Sequence, residues 1–130
     1  HGLDDRIAIV GHCDDMPAAF ALADIVIAPS NEPEAFGRVA AEAGAMAVPV
    51  IGSSIGAQGE IIVDGETGFV VPPMNPVALA DAMGNLLGQG PEGRKRMGEA
   101  AKIRVQQKFT TAALQQATLA VYDRLMGRPS

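Results

Sequence analysis

Three short runs of β-branched and other apolar residues, at positions 6–11, 24–28 and 48–52, are separated by stretches long enough to hold a helix each. Arg6-Ile7-Ala8-Ile9-Val10 ends at Gly11, Asp24-Ile25-Val26-Ile27-Ala28 at Pro29-Ser30, and Val48-Pro49-Val50-Ile51 at Gly52. Runs of this length without polar alternation fit strands covered on both faces. Between the first two, Asp14 or Asp15 offers a helix cap, with Pro17 in the first turn of a helix over 16–23. Between the second and third, Val39, Ala40, Ala43 and Met46 share one side of a helix that starts near Gly37. Strand, helix, strand, helix, strand is the pattern of an α/β fold: a Rossmann-like parallel sheet with flanking helices.

Beyond Gly52 the sequence predicts a loop over 53–59, a helical turn over 60–63, a turn over 64–68 and a short strand over 69–71. Gly65 and Gly68 are expected to serve that turn through positive φ. Asn75 reads as the cap of a helix opening with Pro76 and running through Leu79, Met83, Leu86 and Leu87, and two more helices fit 91–108 and 110–126. The methionines at 16, 46, 74, 83, 97 and 126 read as core filler, and His1 as a disordered end.

Composition excludes several classes. At 130 residues the chain is expected to be one domain, and 48% apolar against 19% charged residues is the balance of a globular protein. A net charge of −5, with Arg94-Lys95-Arg96 as its basic cluster, argues against nucleic acid as a partner. That triplet reads as a solvated helix face, with contact to anionic lipid as the alternative. Cys13 is the single cysteine, so no internal disulfide and no cysteine-based zinc site can form, and the apolar runs fall well short of the roughly 20 residues a membrane helix needs. No signal peptide is visible, and a cytoplasmic protein is expected.

The segment from Pro33 to Glu42 lies between a strand end and a helix start, where open parallel sheets gather ligands. A helix N-terminus offers unpaired N–H groups and about half a positive charge, so Phe36, Gly37, Arg38 and Val39 can present donors to a diphosphate. Gly37 would let a ligand approach the main chain closely. Glu42 suits a pair of adjacent hydroxyls such as a ribose diol, and Glu34 can reach hydroxyls of a second sugar. Taken singly, either Glu can equally be a solvated acid at a helix start. A metal site from His12, Cys13 and Asp14 fails on geometry, because adjacent side chains do not converge and no second His is near.

Glu34 and Glu42, with seven residues between them and Phe36-Gly37 inside, resemble the Glu-x7-Glu motif of the retaining group 1 glycosyltransferases. The likeness extends over Ile25-Val26-Ile27-Ala28-Pro29-Ser30, Val48-Pro49-Val50-Ile51, Ser54-Ile55-Gly56-Ala57-Gln58-Gly59-Glu60, Asp64-Gly65-Glu66-Thr67-Gly68-Phe69-Val70-Val71-Pro72-Pro73 and the terminal helices, nearly the whole chain. The resemblance implies a truncated C-terminal, donor-binding domain of the two-Rossmann-domain (GT-B) fold. It also implies that Glu34 faces the transferred sugar as the catalytic-site acid, that backbone amides from Ala35 through Phe36, Gly37 and Arg38 to Val39 meet sugar and phosphate oxygens, and that Glu42 holds the ribose. The loop carrying Cys13 and Asp14 would border the nucleobase. Relatives usually carry two glycines where this chain has Gly56-Ala57, which puts the donor geometry there in question.

Family members place an Arg/Lys pair on an earlier strand-loop of this domain and a His in the other, acceptor-binding domain; neither region is in the sequence. The chain alone is therefore expected to be nearly inactive. Missing first strands would leave a sheet edge uncovered, which favours self-association. The resemblance implies transfer of a hexosyl group from a UDP- or GDP-sugar to a glycan or lipid acceptor, with retention and without a cofactor or obligatory metal. A place in cell-envelope polysaccharide or lipopolysaccharide synthesis, at the inner face of a bacterial membrane, is compatible with it. The alternatives are a non-catalytic nucleotide-binding or assembly module and a sugar-nucleotide epimerase of the same fold.

Overall fold

The computed structural model describes residues 2–126. His1, expected to be a disordered end, lies outside them. Three strands, β1 Val26–Ala28, β2 Val50–Ser53 and β3 Gly68–Val71, form a parallel sheet in the order β1-β2-β3. The helices are α1 Met16–Ala21, α2 Arg38–Ala45, α3 Gln58–Ile61, α4 Pro76–Gly88, α5 Gly90–Lys108 and α6 Thr111–Leu125.

Alternation along the strands divides the core in two. Val50 packs with Val26, Ala28 and Val70 toward α1, α2 and α3, in a cluster holding Phe20, Ala40, Ala43, Ile61 and Ile62. Ile51, with Ile25, Ile27, Phe69 and Val71, packs with Ala82 and Leu86 of α4 and Met97 of α5 on the other side. Each strand thus serves both layers, as the period of two demands. α5 carries few apolar residues, and its buried positions Gly93, Met97, Gly98, Ala101 and Val105 follow helical spacing. They meet the small residues of α2: a Cβ on Gly44 would lie 3.0 Å from Val105 Cγ2 and 3.6 Å from the Ala101 Cβ.

Side-chain caps fix where helices start. Asp15, rather than Asp14, accepts from the Ala18 N–H at 3.0 Å; Asn75 accepts from Ala78 at 3.0 Å, and Thr110 from Ala113 at 3.2 Å. α1 ends at Ala21, two residues before the expected limit. The turn over 64–68 is closed by Thr67 Oγ1, which accepts from the Val63 N–H at 2.8 Å, and by Asp64 Oδ1, which accepts from Val70 N–H at 2.8 Å.

The structure corrects several expectations. No strand forms over 6–11: the segment pairs with none of the three strands, and Ile9 is 97% exposed. A parallel strand needs ladder partners at its edge and cover on its faces, and here the apolar run has neither. α3 begins at Gln58, two residues ahead of the expected turn, so Gln58 leaves the loop and becomes buried. Gly65 has φ of 75°, as expected, whereas Gly68 has no positive φ: it lies in β3, where a Cβ would fall 2.1 Å from the Val50 carbonyl oxygen. Of the methionines only Met97 is core; Met16 and Met83 pack against it from the side, and Met46, Met74 and Met126 are exposed. Arg94 is not a solvated residue, since its side chain is only 14% exposed and reaches Asp24 at 3.4 Å, while Lys95 and Arg96 stay exposed. Among the described residues no helix is long and apolar enough to cross a membrane.

Gly98 measures how closely α5 lies on the connection into β2, because an added Cβ would fall 1.9 Å from the Ala47 carbonyl oxygen. Gly98→Ala is expected to destabilise the chain by about 2 kcal/mol through this overpacking. A lowered urea midpoint with an unchanged denaturant slope is the measurement that checks it.

Candidate functional site

The carboxyl end of the sheet gathers the polar residues. β1 stops at Ala28 because Pro29 cannot extend the ladder, and Ser30 follows, 9% exposed. β2 ends at Ser53, 2% exposed. The Ser30 N–H donates to Ser53 Oγ at 2.9 Å, tying the two strand ends together.

Gln58, at the start of α3, is fully buried beneath them. Its Oε1 accepts from the Ser53 N–H at 2.7 Å, and its Nε2 donates to Ser30 Oγ at 3.0 Å and to Glu34 Oε2 at 3.5 Å. The Ser30 hydroxyl in turn donates to Glu34 Oε1. Glu34 is therefore no free acid at a helix start: both carboxylate oxygens are held from the protein side. Gly52 leaves room for this arrangement, since a Cβ there would lie 2.3 Å from Gln58 Oε1. The backbone of Glu34 is fixed as well, its carbonyl accepting from the Ala57 N–H at 3.1 Å.

α2 begins immediately after this loop. Its N-cap, Gly37, has a left-handed backbone (φ 68°, ψ 47°) and supplies no side-chain acceptor, so the N–H groups of the first turn have no intrahelical or capping partner. Of the donors expected at 36–39, Arg38 and Val39 belong to this first turn, whereas Gly37 is its cap and Phe36 precedes it. The structure gives Gly37 a different reason from ligand access: it is buried, with a Cβ position 3.2 Å from Ile61 Cδ1 and 3.4 Å from Gln58 Cγ. Ala35, Arg38 and Val39 are exposed. Phe36, also exposed, makes an edge contact with Phe109, ring centroids 6.3 Å apart at 74°.

Glu42 lies one turn along α2 and pairs with Arg38, Nη2 to Oε1 at 3.2 Å. The Arg38 side chain is 81% exposed, and such a pair is worth only about 0.3–0.5 kcal/mol, so ligand hydroxyls can displace it. Cys13 and Asp14 lie apart from this cluster in an exposed loop. Cys13 Sγ donates to the Asp15 carbonyl at 3.4 Å, and Asp14 Oδ1 is 2.9 Å from His12 Nε2; among the described residues no hydrogen bond joins them to 34–42.

Ser30, Ser53 and Gln58 were not legible as site residues, because Ser53 and Gln58 read as loop residues and Ser30 as a strand stop. The available signal is that each serine follows an apolar run within one or two residues, at the same end of a parallel sheet. A cavity of about 330 Å³ opens at that end too, lined by Pro29, Asn31, Ser53, Val71, Pro72 and Leu79 among others; it touches Ser53 but neither acid.

Comparison with known proteins places this geometry in context. The family described as Glycosyl transferases group 1 matches residues 1–104. The D-inositol 3-phosphate glycosyltransferase of Corynebacterium diphtheriae is 38% identical over 109 residues, which cover 84% of this chain and 25% of that protein. The lipopolysaccharide core biosynthesis mannosyltransferase of Rhizobium leguminosarum is 35% identical over 126 residues, 97% of this chain and 35% of its own. Among solved structures, Anabaena HepE in complex with UDP-glucose superposes with a TM-score of 0.83 at 26% identity, over 95% of this chain and 34% of that one. The chain thus spans about a quarter to a third of the length of these relatives.

Gly56 is where the loop before α3 meets the site. It has φ of 65°, and a Cβ would lie 2.5 Å from the Glu34 nitrogen and 2.6 Å from the Glu34 oxygen. Ala57, by contrast, has φ of −78° and tolerates its methyl, so the missing second glycine leaves the backbone contact intact. Gly56→Ala is expected to cost about 2 kcal/mol from the positive φ and the collision together. Ala57→Gly should leave thermal unfolding nearly unchanged, and the contrast between the two melting temperatures checks the assignment.

Proposed function

Since the chain belongs to the group 1 glycosyltransferase family, we propose that it is the donor-binding part of a longer hexosyltransferase, taking a UDP- or GDP-sugar. The observation that carries this reading is the uncapped start of α2, with Glu34 fixed on one side of it and Glu42 along its first turns. The diphosphate would lie against the first-turn N–H groups, where the helix dipole favours negative charge. Glu42 would exchange Arg38 for the ribose hydroxyls, and Glu34 would accept from hydroxyls of the sugar. Arg38, released from Glu42, is then within the same turn to face the phosphates.

In the proposed reaction the bond between the anomeric carbon and the diphosphate oxygen breaks, its electron pair leaving with the nucleoside diphosphate. The acceptor hydroxyl oxygen forms the new bond and passes its proton to an oxygen of the departing diphosphate, with retention at the anomeric carbon. Stabilising the charge on the departing phosphate is the task of the α2 amides and of basic groups supplied elsewhere in the protein. HepE, whose structure was solved with UDP-glucose, supports a UDP-sugar as donor, and the Rhizobium relative supports a glycan or lipid acceptor of the cell envelope. A cytoplasmic setting at the inner membrane face goes with such an acceptor.

Calorimetric titration of UDP and GDP into the protein carrying this chain tests the proposal. One of the two is expected to bind, and Glu42→Ala to weaken it roughly thirtyfold, by about 2 kcal/mol, through loss of hydrogen bonds to a charged acceptor. Heat release from neither nucleotide, or full affinity in Glu42→Ala, would sink it and favour a non-catalytic assembly module.

A further inference from the structure

We propose that Gln58 is a positioning residue that sets the orientation of Glu34, and through it the preference for a sugar nucleotide over the bare nucleotide. The inference rests on the reading of Glu34 as the acid that meets the sugar.

The direction of the hydrogen bonds carries it. The Ser53 N–H can only donate, so the Gln58 atom facing it at 2.7 Å must be the amide oxygen. The Gln58 amide is thereby fixed, and its NH₂ must face Ser30 Oγ and Glu34 Oε2. Ser30 Oγ, already accepting from Gln58, has one proton, which goes to Glu34 Oε1. A single buried amide therefore aligns two donors on the carboxylate, one directly and one through the serine. A carboxylate offers about four acceptor positions. With two taken from the protein side, the remaining lone pairs are available to incoming hydroxyls without further ordering of the side chain, the saving that preorganisation brings.

Gln58 itself has little freedom. α3 is held by Arg104, whose Nε donates to the Ile61 carbonyl at 2.8 Å and whose Nη2 donates to that of Glu60. Gly37 packs on Gln58 Cγ from one side and Gly52 faces its Oε1 from another. An apolar residue at 58 would leave Ser30 free to turn its hydroxyl away from Glu34, while the Glu42 side chain and the amides of α2 would keep their places.

The test compares binding of each bare nucleotide with its sugar nucleotide, UDP with UDP-glucose and GDP with GDP-mannose, to the full-length protein carrying this chain and to its Gln58→Leu and Ser30→Ala variants. Ser30→Ala keeps the Ser53 N–H to Gln58 bond and serves if Gln58→Leu does not fold. The expected result is that the wild-type protein binds one sugar nucleotide more tightly than its nucleotide. Each folded variant should then lose about tenfold of that advantage, while affinity for the bare nucleotide stays within about twofold. Equal weakening of both ligands, an undiminished preference in a folded variant, or no wild-type preference for either sugar nucleotide overturns the inference. Absence of all nucleotide binding by the wild-type protein instead removes the donor-binding reading on which it rests.

Discussion

Every residue of β2 is buried, and its backbone is paired with β1 on one edge and β3 on the other. A buried peptide group left without a partner costs about 1–3 kcal/mol, so the strand can exist only between two neighbours and under helices on both faces. The rest of the molecule follows from that requirement. Val50 and Ile51 point into opposite layers, and each layer has its own helices to close it.

The candidate site is the place where the same requirement runs out of strands. β1 ends opposite Gly52, and the next N–H of β2, that of Ser53, is met by the Gln58 side chain instead of a backbone carbonyl. Satisfying that group drew a polar side chain under the sheet, and its other half reaches Ser30 and Glu34. The acid, the helix start beside it and the end of the ladder are thus parts of one hydrogen-bonded arrangement. Family membership and the likeness to HepE agree with a parallel α/β sheet flanked by helices.

Much of this was legible in the amino-acid sequence. The runs around Val26 and Val50 are strands because no polar residue interrupts them, and Asn75-Pro76 and Thr110 start helices through side-chain acceptors that the sequence displays. The place of 33–42 between a strand end and a helix start, with the resemblance carried by Glu34 and Glu42, pointed to the loop before α2 as the candidate site. What was hidden depended on partners far along the chain. Ile7 to Val10 has strand composition but no neighbouring strand among the described residues, and composition does not report partners. Gln58 reads as a solvated loop residue until the position of Ser30, 28 residues earlier, is known. Arg94 reads as surface for the same reason, its partner Asp24 being 70 residues away.

The edge contact between Phe36 and Phe109 joins the segment before α2 to the residue that closes α5. Phe109 also packs against the first core layer and directly precedes the cap of α6. The junction of α5 and α6 therefore touches the segment leading into α2 through side-chain rings as well as through the shared core. Through that pair of rings the junction of α5 and α6 and the loop before α2 share one packed contact.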